Sequence, residues 1–172
     1  MQALRQFSIP LKGLKNGKHN YAFDIDKTFF AHFESSPVED GKLSAEISLD
    51  KKSDHIILNF LIEGTVQTEC DRCTALIDLP VQSEQEIIVK FSDEAREEGE
   101  IVYIPFDAHE FNLASLVYEL IILSIPMIKV FDCETADPQP CNEEILSILS
   151  AETKESSNPL GDALKNLKLD KN

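Results

Sequence analysis

The chain has no tryptophan, about half as many basic as acidic residues, and no uninterrupted apolar run long enough to cross a membrane. Its most apolar stretch, residues 113–130, contains Glu119, Pro126 and Lys129. A spanning helix needs roughly 20 predominantly apolar residues, so these interruptions argue against one. Residues 1–20 also lack the continuous apolar centre of a secretory signal. These absences predict a soluble, cytoplasmic protein.

The sequence also lacks the short motifs of common enzymes. It contains no glycine-rich nucleotide-binding fingerprint, no P-loop, no nucleophile elbow and no HExxH zinc-protease motif. Its four histidines are scattered, and none lies at short ligand spacing from a cysteine: His19, His32, His55 and His109. We therefore predict a protein that is not an enzyme, with no catalytic residue and no small-molecule substrate or cofactor site.

Charge is unevenly distributed along the 172 residues. The net charge is −15, yet residues 1–20 contain four basic residues and no acid: Arg5, Lys12, Lys15 and Lys18. An anionic body repels phosphate, which disfavours nucleic-acid binding over a broad surface and favours a basic protein as partner. The lysine-bearing N-terminal segment is the region best suited to touch RNA, and the sequence leaves direct RNA contact open.

Alternating apolar and polar residues predict a mainly antiparallel sheet. Residues 43–50 alternate with period two, and residues 55–69 and 75–91 predict two long strands joined as a hairpin. Gly64 marks an expected bulge or bend, and Pro80 marks an edge or a kink, because proline cannot donate to a central ladder. The acidic stretch 92–100 is predicted as a solvated loop, and a short strand follows it.

The period changes after Asn112, where apolar residues recur at helical spacing: Leu113, Leu116, Val117, Leu120 and Ile121. Asn112 is placed to cap this amphipathic helix, and Pro126 to end it. Asn142 starts a second, short helix. The fold class is therefore α+β: a mainly antiparallel sheet with a long hairpin, packed by one amphipathic helix and short C-terminal helices. Residues 1–150 form one domain, 151–158 a polar linker, and 159–172 a short amphipathic segment.

The four cysteines form the clearest candidate site. Cys70 and Cys73 lie at the predicted hairpin tip, whereas Cys133 and Cys141 lie in a loop with two prolines. Two thiolates on one tight turn can bind the same zinc ion, although the second pair is spaced more widely than usual. In the cytoplasm we expect reduced thiols or metal ligands rather than disulfides. The candidate metal ligands are Cys70, Cys73, Cys133 and Cys141, and the candidate cofactor is a structural zinc ion.

Three other interpretations of the cysteines stay open. They can be small buried or turn residues, the first pair can be a redox couple, or the thiols can become disulfides during purification. Redox chemistry is disfavoured, because a thioredoxin-type CxxC begins a helix, where the dipole lowers the thiolate pKa. Here the motif lies between two strands.

The order of these elements resembles that of the YceD family, also called large ribosomal RNA subunit accumulation proteins. The resemblance rests on "ECDRC", then "EFNLASLVYELIILSIPMIKV", a cysteine-bearing loop, and "NPLGDALKNLK". "ELIILSIP", residues 119–126, resembles the family's acidic, Leu- and Ile-rich helix ending in a proline. Thr74 stands where relatives often have glycine. The residues that match the family's turn and closing motifs are Cys70, Arg72, Cys73, Asn158, Pro159, Leu164 and Leu167.

The resemblance implies a non-enzymatic factor in bacterial ribosome biogenesis that supports accumulation of large-subunit ribosomal RNA. Together with the acidic charge of the chain, it predicts protein contacts, with a basic protein or a ribosome-assembly factor as partner. Two alternatives remain. One is a thiol-dependent redox protein using Cys70 and Cys73, and the other is a zinc-stabilised adaptor unrelated to ribosomes. In an adaptor, residues 158–172 are the candidate binding segment.

Overall fold

The computed structural model describes residues 3–132 and 140–155, with side chains as far as residue 150. A short 3-10 helix, Ala3–Phe7, opens the described chain. The remaining elements, in chain order, are β1 Ser8–Pro10, β2 Gly17–Ile25, α1 Lys27–Phe30, β3 Asp40–Lys51, β4 His55–Glu69, β5 Leu76–Ser92, β6 Arg96–Glu98, β7 Ile101–Pro105, β8 Glu110–Asn112, α2 Ala114–Ser124 and α3 Glu143–Glu155.

Six strands form one sheet in the order β2-β3-β4-β5-β7-β6. Neighbours are antiparallel except β5 and β7, which run parallel. β1 and β8 pair separately as a two-stranded ribbon that ties the N-terminal segment to the start of α2. This architecture confirms the predicted α+β class with its mainly antiparallel sheet.

The long hairpin is formed by β4 and β5, which pair from His55 with Lys90 to Glu69 with Leu76. Its alternating pattern is seen in the structure, because every second residue of both strands over most of their length is buried on one face. Pro80 lies before β5 begins to pair with β7, so this part of β5 has a partner on one side only. Proline is tolerated there, as predicted for an edge position.

Gly64 is required by a close approach between strands rather than by a bulge. The registers of β4 with β3 and with β5 run through Gly64 without an extra residue, so the predicted bulge is absent. A Cβ atom at this position would lie 2.2 Å from the carbonyl oxygen of Lys42, and the glycine has φ +151°. Any side chain here would force β3 and β4 apart.

The buried face of the sheet packs against α2 and an N-terminal aromatic cluster. The predicted apolar stripe of α2 is confirmed, since Leu116, Val117 and Ile121 are buried. Phe7, at the end of the 3-10 helix, contacts Phe29 with ring centroids 4.9 Å apart. Among the described residues, no helix is long and apolar enough to span a bilayer.

Three local predictions need correction. The N-cap position of α2 is Leu113 rather than Asn112, although the Asn112 side chain still accepts a 2.9 Å hydrogen bond from the Ala114 amide. The predicted loop 92–100 contains β6, because Arg96–Glu98 pairs with β7 and Arg96 stacks on Tyr103. α3 runs to Glu155, into the predicted linker. The predicted segment 159–172 lies outside the described residues.

Candidate functional site

The CxxC turn closes the tip of the β4–β5 hairpin through main-chain hydrogen bonds. The Cys70 amide donates to the Ala75 carbonyl oxygen at 2.9 Å, and the Thr74 amide donates to the Cys70 carbonyl oxygen at 2.8 Å. Thr74 has φ +58°, in the left-handed region that favours glycine. Both cysteines are buried. The turn therefore holds two thiols inside the protein, and its backbone at Thr74 has a conformation that is unfavourable for a residue with a side chain.

The Cys70 sulfur lies among several hydrogen-bond donors. Burial raises the pKa of this thiol. Hydrogen bonds from the backbone amides of Phe131, Arg72 and Cys73 and from the Cys73 thiol lower the pKa, and together they outweigh the effect of burial. The net result is a pKa below the ordinary thiol value. Hydrogen bonds to the charged form are one of the recognised causes of such a shift. Cys70 is therefore poised to become a thiolate, the form that binds metals and attacks disulfides.

Two of the four predicted metal ligands, Cys70 and Cys73, lie buried in the same turn, and the four-cysteine set stays a prediction. Cys70 and Cys73 are free thiols, whereas Cys141 is disulfide-bonded. The expectation of four reduced thiols or metal ligands therefore does not hold for Cys141 in this structure. Cys133 lies outside the described residues. In the part of the chain that is described, no three His, Cys, Asp or Glu side chains come together to hold a metal ion.

The same turn fixes the segment that follows α2. The Asp71 amide donates to the Lys129 carbonyl oxygen at 2.7 Å, and the Lys129 amide donates to Asp71 Oδ2 at 2.7 Å. The Lys129 ammonium also lies 3.5 Å from Asp71 Oδ1. The amide of Phe131, two residues after Lys129, donates to the sulfur of Cys70, the residue before Asp71. Residues 125–131 are therefore strapped to the hairpin tip although they belong to no helix or strand.

This strapped segment, together with the last turn of α2, carries apolar side chains that face outward. Half of the large exposed hydrophobic residues in the described chain lie within residues 123–130. Their exposed fractions are 80% for Leu123, 98% for Met127, 74% for Ile128 and 44% for Val130. Ile125 and Phe131, in contrast, pack against the core. We call residues 123–130 the apolar strap.

A shallow acidic cleft of about 330 Å³ lies beside the apolar strap. Its lining includes three acidic residues, Glu39, Asp40 and Glu69, together with Leu76 and Lys129. The charge of Lys129 is offset by its ion pair with Asp71. The cleft is therefore negative overall, and it adjoins the exposed apolar residues on either side of Lys129 in the chain.

The sequence does not by itself identify the apolar strap: the predicted core-facing stripe runs from Leu113 to Ile121 and its helix ends at Pro126, with no role predicted for the residues that follow. A signal was present in the chain. Met127 and Ile128 follow Pro126, so the helical pattern that buries Leu116 and Val117 cannot continue to them. Apolar residues directly after a helix-ending proline are not part of the helix, so the helical pattern does not predict that they are buried.

A sequence model of the family described as "Large ribosomal RNA subunit accumulation protein YceD" matches residues 58–168, well over half of the chain. The chain belongs to the YceD family. The YceD match includes most of β4, the CxxC turn, β5, α2 and the apolar strap. No curated protein and no solved structure matches the chain. The YceD description names an effect on ribosomal RNA, and this supports a role in ribosome biogenesis.

Proposed function

We propose that this protein is a cytoplasmic, non-enzymatic factor in bacterial ribosome biogenesis that supports accumulation of large-subunit ribosomal RNA through contacts with proteins. The family match over residues 58–168 carries this proposal. The partner is a basic protein of the ribosome or a ribosome-assembly factor. Its basic character follows from the charge of this chain, −15, rather than from the family.

The solvent face of the sheet supports a protein partner over direct RNA binding. Five exposed acidic residues project from this face on four adjacent strands: Asp24, Glu46, Glu63, Glu84 and Glu86. Such a field repels the phosphates of RNA and attracts the lysines and arginines that are abundant in RNA-binding proteins. Contact with RNA is left to the basic segment at residues 1–20.

Depletion of the protein in its host, followed by profiling of ribosomal subunits, tests this function. We expect the ratio of large-subunit to small-subunit RNA to fall, and to recover when the wild-type chain is supplied. A Cys70→Ser/Cys73→Ser variant that accumulates normally and also restores the ratio would show that no thiol reaction is needed. An unchanged ratio after depletion would refute the proposed role.

Zinc belongs to this proposal as a structural element. Cys70 and Cys73 would supply two thiolates from the hairpin tip, and Cys133 together with reduced Cys141 would supply the others. A bound zinc ion would hold the turn to the segment before α3 and contribute to folding. The buried position of Cys70 and its lowered pKa support a ligand role for this residue.

A thiol redox function is the second candidate, favoured by the lowered pKa of Cys70. Its difficulty is access, because Cys70 and Cys73 are both buried and a disulfide substrate must reach the attacking sulfur. A redox protein would lose its function in the Cys70→Ser/Cys73→Ser variant. In the complementation described above, a variant that accumulates normally separates the two candidates, because it restores the RNA ratio in the non-enzymatic role and fails to restore it in the redox role.

A further inference from the structure

We propose that the apolar strap and the acidic cleft beside it form one docking surface for a lysine- or arginine-rich protein segment that also carries apolar anchors. The inference deepens the proposed function and rests on it for the setting in which the partner is met. The surface itself is argued from exposure, from the hydrogen bonds that hold the strap, and from charge.

Exposure alone makes the strap unusual. Soluble proteins leave single hydrophobic residues on the surface, but consecutive or neighbouring large ones mark an interaction site. Met127 and Ile128 are adjacent, and Leu123 and Val130 extend the same segment in both directions. A partner that covers these apolar side chains removes their surface from water, which is favourable.

The strap is held in shape before any partner binds. Ile125, within the strap, and Phe131, directly after it, pack against the core. Asp71 fixes Lys129 with two hydrogen bonds of 2.7 Å, one between main-chain groups and one from the Lys129 amide to the Asp71 carboxylate. A segment already ordered in this way loses little further conformational entropy on binding. The arrangement therefore presents Met127 and Ile128 outward on a fixed backbone, as a binding surface requires.

Charge identifies the occupant. Glu39, Asp40 and Glu69 line the cleft, and Lys129, the one cation among the described lining residues, is paired with Asp71. A basic segment can place its charges in this cleft while its apolar side chains cover the strap. RNA and anionic membranes would meet like charge. A second copy of this chain would bring the same acidic cleft to a two-fold interface, which is repulsive.

A photo-crosslinking amino acid at position 127 tests the surface directly. The full chain carrying it in place of Met127 is irradiated in cells, and separately with total protein extracted from large ribosomal subunits. We expect an adduct with an identified protein, mapped to a segment with lysine or arginine beside apolar residues. The matched control carries the same group at Ser53, in the exposed turn between β3 and β4 at the end of the hairpin away from the CxxC turn, and should not give that adduct.

Exposed substitutions then separate apolar from ionic contributions. Ile128→Ser should reduce the adduct at position 127 about tenfold, whereas Phe106→Ser, at another exposed hydrophobic residue, should not reduce it. Glu39→Gln combined with Glu69→Gln should reduce the adduct and weaken its dependence on salt. All three variants change exposed side chains, so the fold should be unaffected.

Several outcomes would overturn the docking surface: equal adducts from positions 127 and 53, no adduct under either condition, an adduct with RNA or with a second copy, or an adduct with residues 156–172 of the same chain. The proposed function is tested separately. If depletion leaves ribosomal RNA unchanged while the basic-protein adduct persists, the function is wrong and the surface stands. If Ile128→Ser restores RNA accumulation without forming the adduct, the surface is wrong and the function stands.

Discussion

Asp71 and Lys129 are 58 positions apart in sequence and are joined by three contacts. Two are hydrogen bonds of 2.7 Å that pair their main-chain and side-chain groups, and the third is an ion pair with 3.5 Å between Lys129 Nζ and Asp71 Oδ1. Because Asp71 belongs to the CxxC turn and Lys129 to the apolar strap, this pair couples the family's cysteine motif to the exposed apolar surface. The turn therefore has a structural task that does not depend on thiol chemistry.

Replacing Asp71 should loosen the apolar strap. Asp71→Ala removes the acceptor of the Lys129 amide, and we expect a loss of about 1 kcal/mol in the free energy of unfolding, because both partners are partly solvated. Amide hydrogen exchange should speed up within residues 126–131 more than in the β4–β5 hairpin. Asp50→Ala is the matched control, since it breaks only the exposed 2.7 Å ion pair with Lys52. Equal exchange rates in wild type and Asp71→Ala would contradict the strap's dependence on this residue.

Replacing Thr74 by glycine should stabilise the protein, because the left-handed backbone conformation at this position disfavours a residue with a Cβ atom. We expect Thr74→Gly to raise the free energy of unfolding by about 0.5–1 kcal/mol, measured by denaturant titration. Thr65→Gly, in the middle of β4, has no positive φ to relieve and should instead destabilise the protein. A loss of stability in Thr74→Gly would show that the threonine side chain contributes more than its backbone costs.

The sequence could predict the parts of the fold that depend on local periodicity. β4, β5 and α2 were predictable because alternating or helical spacing of apolar residues runs through each of them. Pro80 lies where β5 is paired on one side only, and Pro126 lies after the end of α2. The β1–β8 ribbon was not recognisable, since each strand has only three residues and the two are far apart in sequence. The sequence indicated a bulge or bend at Gly64, because it does not show how closely Lys42 approaches this glycine.

The candidate site was predictable to a similar extent. Cys70 and Cys73 were identified at the hairpin tip from their spacing, because both thiols lie within one turn. The bonds from Asp71 to Lys129 join two segments with no shared sequence signal, so neither residue was singled out. Their pairing depends on how α2 packs against β5, which is a tertiary relationship.

The Cys70 thiol should titrate below the ordinary value of about 8.5. A lowered folded-state pKa means that the unfolded chain binds the proton more tightly. The resulting stabilisation is present above the unfolded pKa and is lost as the pH falls through the folded pKa. Reduced wild-type protein should therefore gain stability relative to Cys70→Ser as the pH rises through this window. Thiolate absorbance near 240 nm measures the titration, and Cys70→Ser is its control. A titration at or above the ordinary value would remove the basis for both the ligand role and the redox role.

Metal content should depend on the state of Cys141. Protein purified without chelator and kept reduced should contain about one zinc ion per chain, and chelation should lower its melting temperature, because a structural zinc site adds folding free energy. Protein in which Cys141 is disulfide-bonded should contain no zinc, because that sulfur is no longer a thiolate. Cys70→Ser should lose the metal, whereas Thr74→Gly should retain it. Reduced protein that is free of metal and melts at the same temperature with and without chelator would refute the zinc proposal, and the turn would then be held by its hydrogen bonds alone.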